Sequence, residues 1–219
     1  MGKSHLKSIK DLSNVECVAI CDTDPAIKAI ADENEIAFYD NHESLLQSKV
    51  CNAVIIATPH YSHTTIGIEA LEAGYHVMVE KPISVHKSDC EKLIAAYKDK
   101  TKVFAAMFNQ RTDPHYKKTK KILTSGELGE IRRVNWIVTD WYRTQSYYNS
   151  GGWRATWNGE GGGVLLNQCP HNLDLIQWLC GMPKKVTAVG TVGKYHNIEV
   201  EDDMTAIFEY ENGATGVFV

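Results

Sequence analysis

The sequence predicts an α/β domain with a doubly wound parallel sheet, followed by an α+β domain with a mostly antiparallel, open sheet. Three observations carry this reading. From residue 15 to about 107, short apolar strands alternate with helix-like segments, the grammar of a parallel sheet. After about residue 110, strands follow one another without intervening helices. Between the last two of these stands Asn212-Gly213, a two-residue hairpin signal. The expected boundary divides residues 1–108 from residues 109–219.

A helix-like run leads from Gly2 to about Leu12. Val15 to Cys21 reads as a strand, and Asp24 to Ile36 as a helix with Pro25 in its first turn. Ala53 to Ala57 is continuously apolar, as a strand buried on both faces would be. Ser62 to Ala73 reads as a helix stopped by Gly74, and His76 to Val79 as the next strand. Ser88-Asp89-Cys90-Glu91 has the form of a capping box. It would open a helix whose apolar face is Cys90, Leu93, Ile94 and Tyr97. Lys102 to Met107 closes the alternating half. In the second half, Pro114 to Leu123 reads as a helix ending at Ser125-Gly126. Ile131 to Tyr142, Val186 to Val192, Met204 to Tyr210 and Ala214 to Val219 read as strands.

Composition bounds the function. The chain has 219 residues, 43% hydrophobic and 23% charged, which excludes disordered and fibrous classes. The net charge of -4 gives no broad grip on nucleic acid. The basic cluster Lys117, Lys118, Lys120 and Lys121 reads as a solvated helix face. No run of about 18 apolar residues suggests a membrane span. The six cysteines form no C-x-x-C pair and mostly sit in apolar runs, as buried, reduced thiols of a cytoplasmic protein do. Cys17 and Cys21 lie four apart on one expected strand, about 13 Å, too far to share a metal.

Chemistry gathers at the strand ends. Asp22 ends the first strand, twenty residues after Gly2. In dinucleotide-binding folds an acidic residue at about that distance from the glycine loop holds the adenosine ribose. The spacing fits if Gly2 is the last glycine of G-x-G-x-x-G, though the bland alternative is a strand-end Asp that caps the next helix. Thr58-Pro59, Glu80-Lys81 and Asn109 to Arg111 end the next three strands. Ligands in open α/β sheets bind at that edge. Gly161-Gly162-Gly163 then precedes Asn167, His171 and Asp174. If the segment is helical, Asn167 and His171 share a face, with Asp174 near it. A lone helical His is more often structural, but the amide and the triple glycine weigh toward a site.

The combination of Glu80-Lys81-Pro82 with Gly161-Gly162-Gly163, Asn167, His171 and Asp174 resembles the Gfo/Idh/MocA family of nicotinamide-dependent sugar and polyol oxidoreductases. The resemblance runs in order over nearly the whole chain. It implies an N-terminal Rossmann domain, a C-terminal α/β domain with an open sheet, and NAD as cofactor. It implies Lys81 and His171 as the catalytic pair, assisted by Asn167. The expected cofactor residues are Gly2, Asp22, Thr58, Pro59, His63, Glu80, Lys81, Asn109 and Arg111. It also implies self-association through the C-terminal sheet. The family usually has Asp where this chain has Asn167, so any proton relay would rest on His171 alone. Asp22, Thr23 and Asp24, with no Arg, favour NAD over NADP.

All five Trp (136, 141, 153, 157, 178) fall within one stretch, joined by Tyr142, Tyr147, Tyr148, Arg143 and Arg154. Aromatic faces beside polar donors suit a sugar ring, so Trp153, Arg154, Asn167 and Asp174 are the expected substrate residues; a subunit interface or plain core is the competing reading. Trp136 and Trp178 are assigned to the core or a sheet face. Three rivals stand beside the dehydrogenase: an enzyme that cleaves glycosides through transient oxidation, a non-catalytic sugar or nucleotide sensor, and, most distantly, a zinc enzyme using His60 and His63. No metal is expected. The absent first glycines, the strand that would precede Gly2, and the apolar last residues lead us to expect a fragment or mis-started reading of a longer enzyme. The missing strand would lie at the centre of the parallel sheet.

Overall fold

A computed structural model describes residues 1–139 and 142–219. Asp140 and Trp141 lie outside the described residues, and with them part of the strand expected over Ile131 to Tyr142. The chain divides into two compact units. The first comprises Met1–Thr58 and Ser62–Ala106, and the second Pro59–Tyr61 and Met107–Val219.

The first unit runs α1 (Gly2–Lys10), β1 (Ala19–Cys21), α2 (Lys28–Glu33), β2 (Ala37–Tyr39), α3 (His42–Ser48), β3 (Ala53–Ile56), α4 (Ser62–Glu72), β4 (His76–Val79), α5 (Lys87–Ala96) and β5 (Phe104–Ala106). Its ladders are all parallel, but they form two sheets, β1-β2 and β3-β4-β5. β1 is shorter than the expected Val15 to Cys21 because its partner β2 offers three residues. β2 and α3 have no counterpart in the sequence reading: each is short, and α3 rests on the Asn41 side chain, which accepts from the Ser44 N–H. Asp24 caps the 3₁₀ turn Pro25–Ile27 that leads into α2, and Gly74 stops α4 with φ +82°.

Two local expectations fail. β3 is not covered on both faces: Ile56 is buried, whereas Ile55 is 39% exposed. The capping box is not used either, because α5 begins at Lys87 with His86 as an N-cap whose side chain makes no cap bond. Of the expected apolar face of α5, Leu93 is fully buried and Ile94 is 56% exposed. Leu93 packs so closely on α4 that a Cβ at Gly67 would sit 2.7 Å from its Cδ1.

The second unit contains α6 (Pro114–Ser125), β6 (Arg133–Trp136), α7 (Gln145–Tyr148), a π-helical turn (Val164–Gln168), α8 (Pro170–Cys180), β7 (Lys185–Val192), β8 (Glu201–Glu209) and β9 (Thr215–Phe218). The sheet order is β6-β9-β8-β7. β6 pairs parallel with β9, and the other ladders are antiparallel. Gly213 takes φ +79° in the turn between β8 and β9, where Asn212-Gly213 predicted one. β6 is short because its ladder matches the four residues of β9. One face of the sheet is covered: Ala206, Phe208, Phe218 and Val134 are buried with Cys169 and Ile176. The other face carries the exposed Val189 and Ile207.

The cysteines are all free, but only Cys169 is buried and the rest are half-buried. Burial pushes the Cys169 thiol up to about 11, which keeps it protonated and inert at neutral pH. Among the described residues no helix is long and apolar enough to cross a membrane.

The faces of α5 generate a direct test. Leu93→Ala should destabilise by about 2–5 kcal/mol in urea unfolding, because it opens a cavity against α4. Ile94→Ala should stay within about 0.5 kcal/mol of wild type.

Candidate active site

The carboxyl ends of β3 and β4 lie side by side, since Ile56 is registered with Val79. Thr58 and Glu80-Lys81 therefore stand at one edge of the sheet, as expected for a ligand edge. Glu80 is buried at 5% exposure. Its Oε1 lies 2.7 Å from His5 Nε2 on α1, and its Oε2 accepts from the Lys81 N–H at 3.2 Å. His5 was missed by the sequence reading, although it stands three residues past Gly2. The Lys81–Pro82 bond is cis.

His63, expected at the cofactor, is 1% exposed, and its two ring nitrogens lie 2.8 Å from Pro82 O and 2.9 Å from Thr58 O. It ties the residues flanking Lys81 to the end of β3. With both nitrogens on carbonyl oxygens, it is not placed as a zinc ligand. His60 belongs to the second unit, where a ring nitrogen meets the Glu160 carbonyl at 2.8 Å. Tyr61 donates to Trp157 O at 2.8 Å, which is why Pro59–Tyr61 groups with that unit. A compact His–carboxylate cluster among the described residues is His42, Glu43 and Glu69. Its imidazole lies 3.3 Å from Glu43 and 2.9 Å from Glu69, polar contacts that account for the cluster.

Asp22 is exposed at the end of β1, where its Oδ1 accepts the Asp24 N–H at 2.9 Å. Asp24, rather than Asp22, caps the following helical turn, with its own Oδ1 on the Ala26 N–H. Asn109 and Arg111 follow β5 in sequence but belong to the second unit. Arg111 makes a two-pronged bond to Asp174, at 2.7 and 2.5 Å. Both oxygens of Asp174 are thus committed to Arg111, and the Arg is held charged by that carboxylate.

Asn167 and His171 do not share one α-helical face, which corrects the expected geometry. Asn167 lies in the π turn, Cys169 breaks the helix, and His171 stands in the first turn of α8 behind Pro170. The π turn is pinned at its start by Glu201, which accepts from the N–H groups of Gly163 and Leu165 at 3.0 and 3.2 Å. Gly163 is obligatory there: a Cβ would fall 1.9 Å from Glu201 O. His171 is half-buried and meets the Phe108 ring edge-on, with centroids 6.1 Å apart.

Around Asn167 the structure assembles Tyr147, Trp153 and Arg154, which the sequence singled out, and Glu160, which it did not. Glu160 is 1% exposed. Its carboxylate accepts from the Ala155 N–H at 2.7 Å and from Asn167 Nδ2. Arg154 donates to Tyr147 Oη at 2.9 Å and lies 3.8 Å from Glu160. Trp153 stands edge-on to His60. Arg154 also lines a shallow cavity of about 370 Å³ with Tyr148, Asn149, Thr156, Asn197 and Glu199. The one sequence signal for Glu160 was its place between Gly159 and Gly161.

Residues 1–108 match the family described as an oxidoreductase family with an NAD-binding Rossmann fold. Residues 116–219 match the GFO/IDH/MocA C-terminal domain. The chain belongs to the Gfo/Idh/MocA family. The WlbA dehydrogenase from Bordetella pertussis, solved with NADH and UDP-GlcNAcA, is 30% identical with a TM-score of 0.92, over 99% of this chain and 67% of that one. Inositol 2-dehydrogenase from Salmonella typhimurium is 32% identical over 86% of this chain and 54% of its own length. Levoglucosan dehydrogenase from Pseudarthrobacter phenanthrenivorans is 29% identical over 79% of this chain and 50% of its own. The chain spans about half the length of these two curated relatives.

The loop behind Tyr148 supplies a pH test. Asp202 accepts from the N–H groups of Lys194, Tyr195 and His196 and from the His196 ring. Burial acts to raise its carboxyl, but these bonds outweigh it and hold it below the usual range. The stability it contributes is present above the ordinary carboxylate pKa of about 3.9 and is lost as pH falls through the lowered folded value. Asp202→Asn should lower Tm near neutral pH and flatten its decline on acidification, as measured by thermal melts across that range. At the π turn, Gly163→Ala should displace Glu201 and cost more stability than the same change at exposed Gly2, where a Cβ meets nothing within 4 Å.

Proposed function

We propose that this protein is an NAD-dependent oxidoreductase that moves a hydride between the nicotinamide and a secondary hydroxyl of a sugar, glycoside or polyol. The observation that carries the reading is the match, over 99% of the chain, to a dehydrogenase solved with NADH and a UDP-linked sugar acid. The residues present fit a dinucleotide. Asp22 offers an exposed carboxylate at a parallel strand end, suited to a ribose diol. Nothing in the fold demands glycine at position 2, since a Cβ there meets no atom within 4 Å. A ligand approaching the start of α1 supplies that reason. Thr58, Pro59, Glu80, Lys81, Asn109 and Arg111 complete the proposed cofactor set; Glu80 and His63 act by holding the Lys81 segment, given the bonds that occupy them.

NAD, when bound, supplies the hydride acceptor for oxidation and, as NADH, the donor for reduction. The chain's own residues handle the proton. His171 is the proposed acceptor of the hydroxyl proton, a role that a neutral imidazole suits. The Lys81 ammonium stabilises charge developing on the same oxygen. Trp153 and Arg154 contribute a ring face and a donor to the sugar. Residues 1–108, with Asn109 and Arg111, bind the dinucleotide and the remainder of residues 109–219 the sugar in this reading. The exposed sheet face bearing Val189 and Ile207 is the proposed surface for self-association.

The test is NADH formation from myo-inositol, levoglucosan and UDP-GlcNAcA. His171→Ala should lower kcat by about 100-fold or more while leaving NAD affinity within a few-fold. Unchanged turnover in that variant would remove His171 from the chemistry. Asp22→Ala should act the other way, raising the KM for NAD and sparing the hydride step.

A further inference from the structure

We propose that the cavity between residues 143–157 and the loop 193–200 is a subsite for a second, neutral sugar ring, so that the substrate is a glycoside of two rings rather than a single ring or a nucleotide sugar. The inference rests on the dehydrogenase reading above, which puts Arg154 at the substrate, and it names the substrate class of that site.

The two walls of the cavity are tied to each other by side chains. Gln145 joins them: its Oε1 accepts the Asn197 N–H at 2.8 Å, and its Nε2 donates to Asn149 Oδ1 at 2.9 Å. Glu199 joins them again, with Oε1 accepting the Trp157 N–H at 2.8 Å. Behind Asn197, Asp202 gathers the N–H groups of Lys194, Tyr195 and His196, and the His196 ring meets Arg143 O at 2.8 Å. Tyr148 is packed on Tyr147 and His196, with ring centroids 5.2 and 4.8 Å away. The space left between the walls is 370 Å³, within the roughly 300–1,000 Å³ of small-ligand sites.

The lining decides the ligand class. Arg154 and Glu199 contribute one charge of each sign. A diphosphate would set its negative charges beside the Glu199 carboxylate, with one guanidinium to meet them, and a cation would meet Arg154. A neutral ligand meets neither penalty. The hydrogen-bonding groups are of both kinds. Asn149 gives its Oδ1 to Gln145, which leaves its NH₂ as a donor. Glu199 gives Oε1 to Trp157, which leaves Oε2 as an acceptor. Asn197 spends its backbone N–H and C=O on Gln145, and its exposed side-chain amide offers a donor and an acceptor. Burial pushes the Tyr148 phenol up to about 12, so its hydroxyl stays protonated and can donate. Sugar hydroxyls each give one bond and take others, and so match a mixed lining. The half-buried Tyr148 adds an aromatic ring to the wall.

Arg154 connects this cavity to the proposed substrate residues. It stands in the cavity wall, its guanidinium lies 4.8 Å from the centre of the Trp153 ring, and Trp153 and Arg154 are the proposed partners of the reacting sugar. A ring held by that pair has the cavity beside it, where the second ring of a glycoside would extend.

The test uses the full chain with NAD present. Tryptophan fluorescence gives Kd for glucose, galactose, mannose and N-acetylglucosamine, for their α- and β-1,4-linked disaccharides, and for UDP; NADH formation is followed with the same sugars. The best disaccharide should bind about tenfold or more tightly than either of its rings alone, the worth of one or two added hydrogen bonds. Asn197→Ala keeps the backbone bonds to Gln145 and should cut that preference to about threefold or less, with Tyr148→Ala as the second variant. Disaccharides that bind no better than single rings overturn the subsite, as does a tenfold preference that survives both substitutions. UDP that binds and is displaced by the disaccharide overturns the choice of a sugar ring over a nucleotide. If the disaccharide preference holds and falls with Asn197→Ala while no sugar yields NADH, the cavity keeps its sugar ligand and the dehydrogenase reading falls.

Discussion

The contact between the Glu201 carboxylate and the N–H groups of Gly163 and Leu165 governs the second unit. It joins the start of β8 to the start of the π turn, at a distance that only a residue without a Cβ permits. A π turn places its residues on a wider spiral than an α-helix. Asn167 therefore leaves the helical path that His171 follows, and the two side chains are set by different elements. The wider turn brings the Asn167 amide onto Glu160, and the break at Cys169-Pro170 lets α8 begin afresh with His171 in its first turn. Pro170 suits that place, because the first turn of a helix has no use for its missing N–H.

The first unit reaches the same end by different means. Parallel strands present their carboxyl ends at one edge, and the residues there are locked by backbone rather than by free side chains. His63 spans two carbonyl oxygens, and Glu80 is shared between His5 and the Lys81 amide. Lys81 is thus held from both sides by neighbours whose own polar atoms are already committed. The logic matches Glu160 and Asn167: a buried polar group is tolerated because it fixes the group beside it.

Much of this was legible in the residues. Gly74, Gly126 and Asn212-Gly213 mark ends and turns, and each takes the positive φ or the hairpin role its type suggests. Glu80-Lys81-Pro82 and the Gly161-Gly162-Gly163 segment were enough to name a family. The misses have physical causes. β2 and α3 are too short for periodicity to register. The Ser88–Glu91 pattern lost to a helix that starts earlier, and the apolar run at β3 overstated its burial because only one face is covered. Asp174, expected at the substrate, is bound to Arg111 from 63 residues away. A pairing across that distance leaves no local spacing to read.

By itself the sequence determined the alternating first half and the strand-rich second half, the family, and the residue types available for hydride and proton transfer, because turn chemistry and short motifs act within a few residues. The tertiary structure alone decided which of those residues are spoken for. Glu160 reads as one acidic residue among glycines until folding removes it from water and places it on Asn167. His5 reads as a surface histidine until α1 sets it on Glu80. Burial and long-range hydrogen bonding turn on distances in space, and these are fixed only when the elements pack.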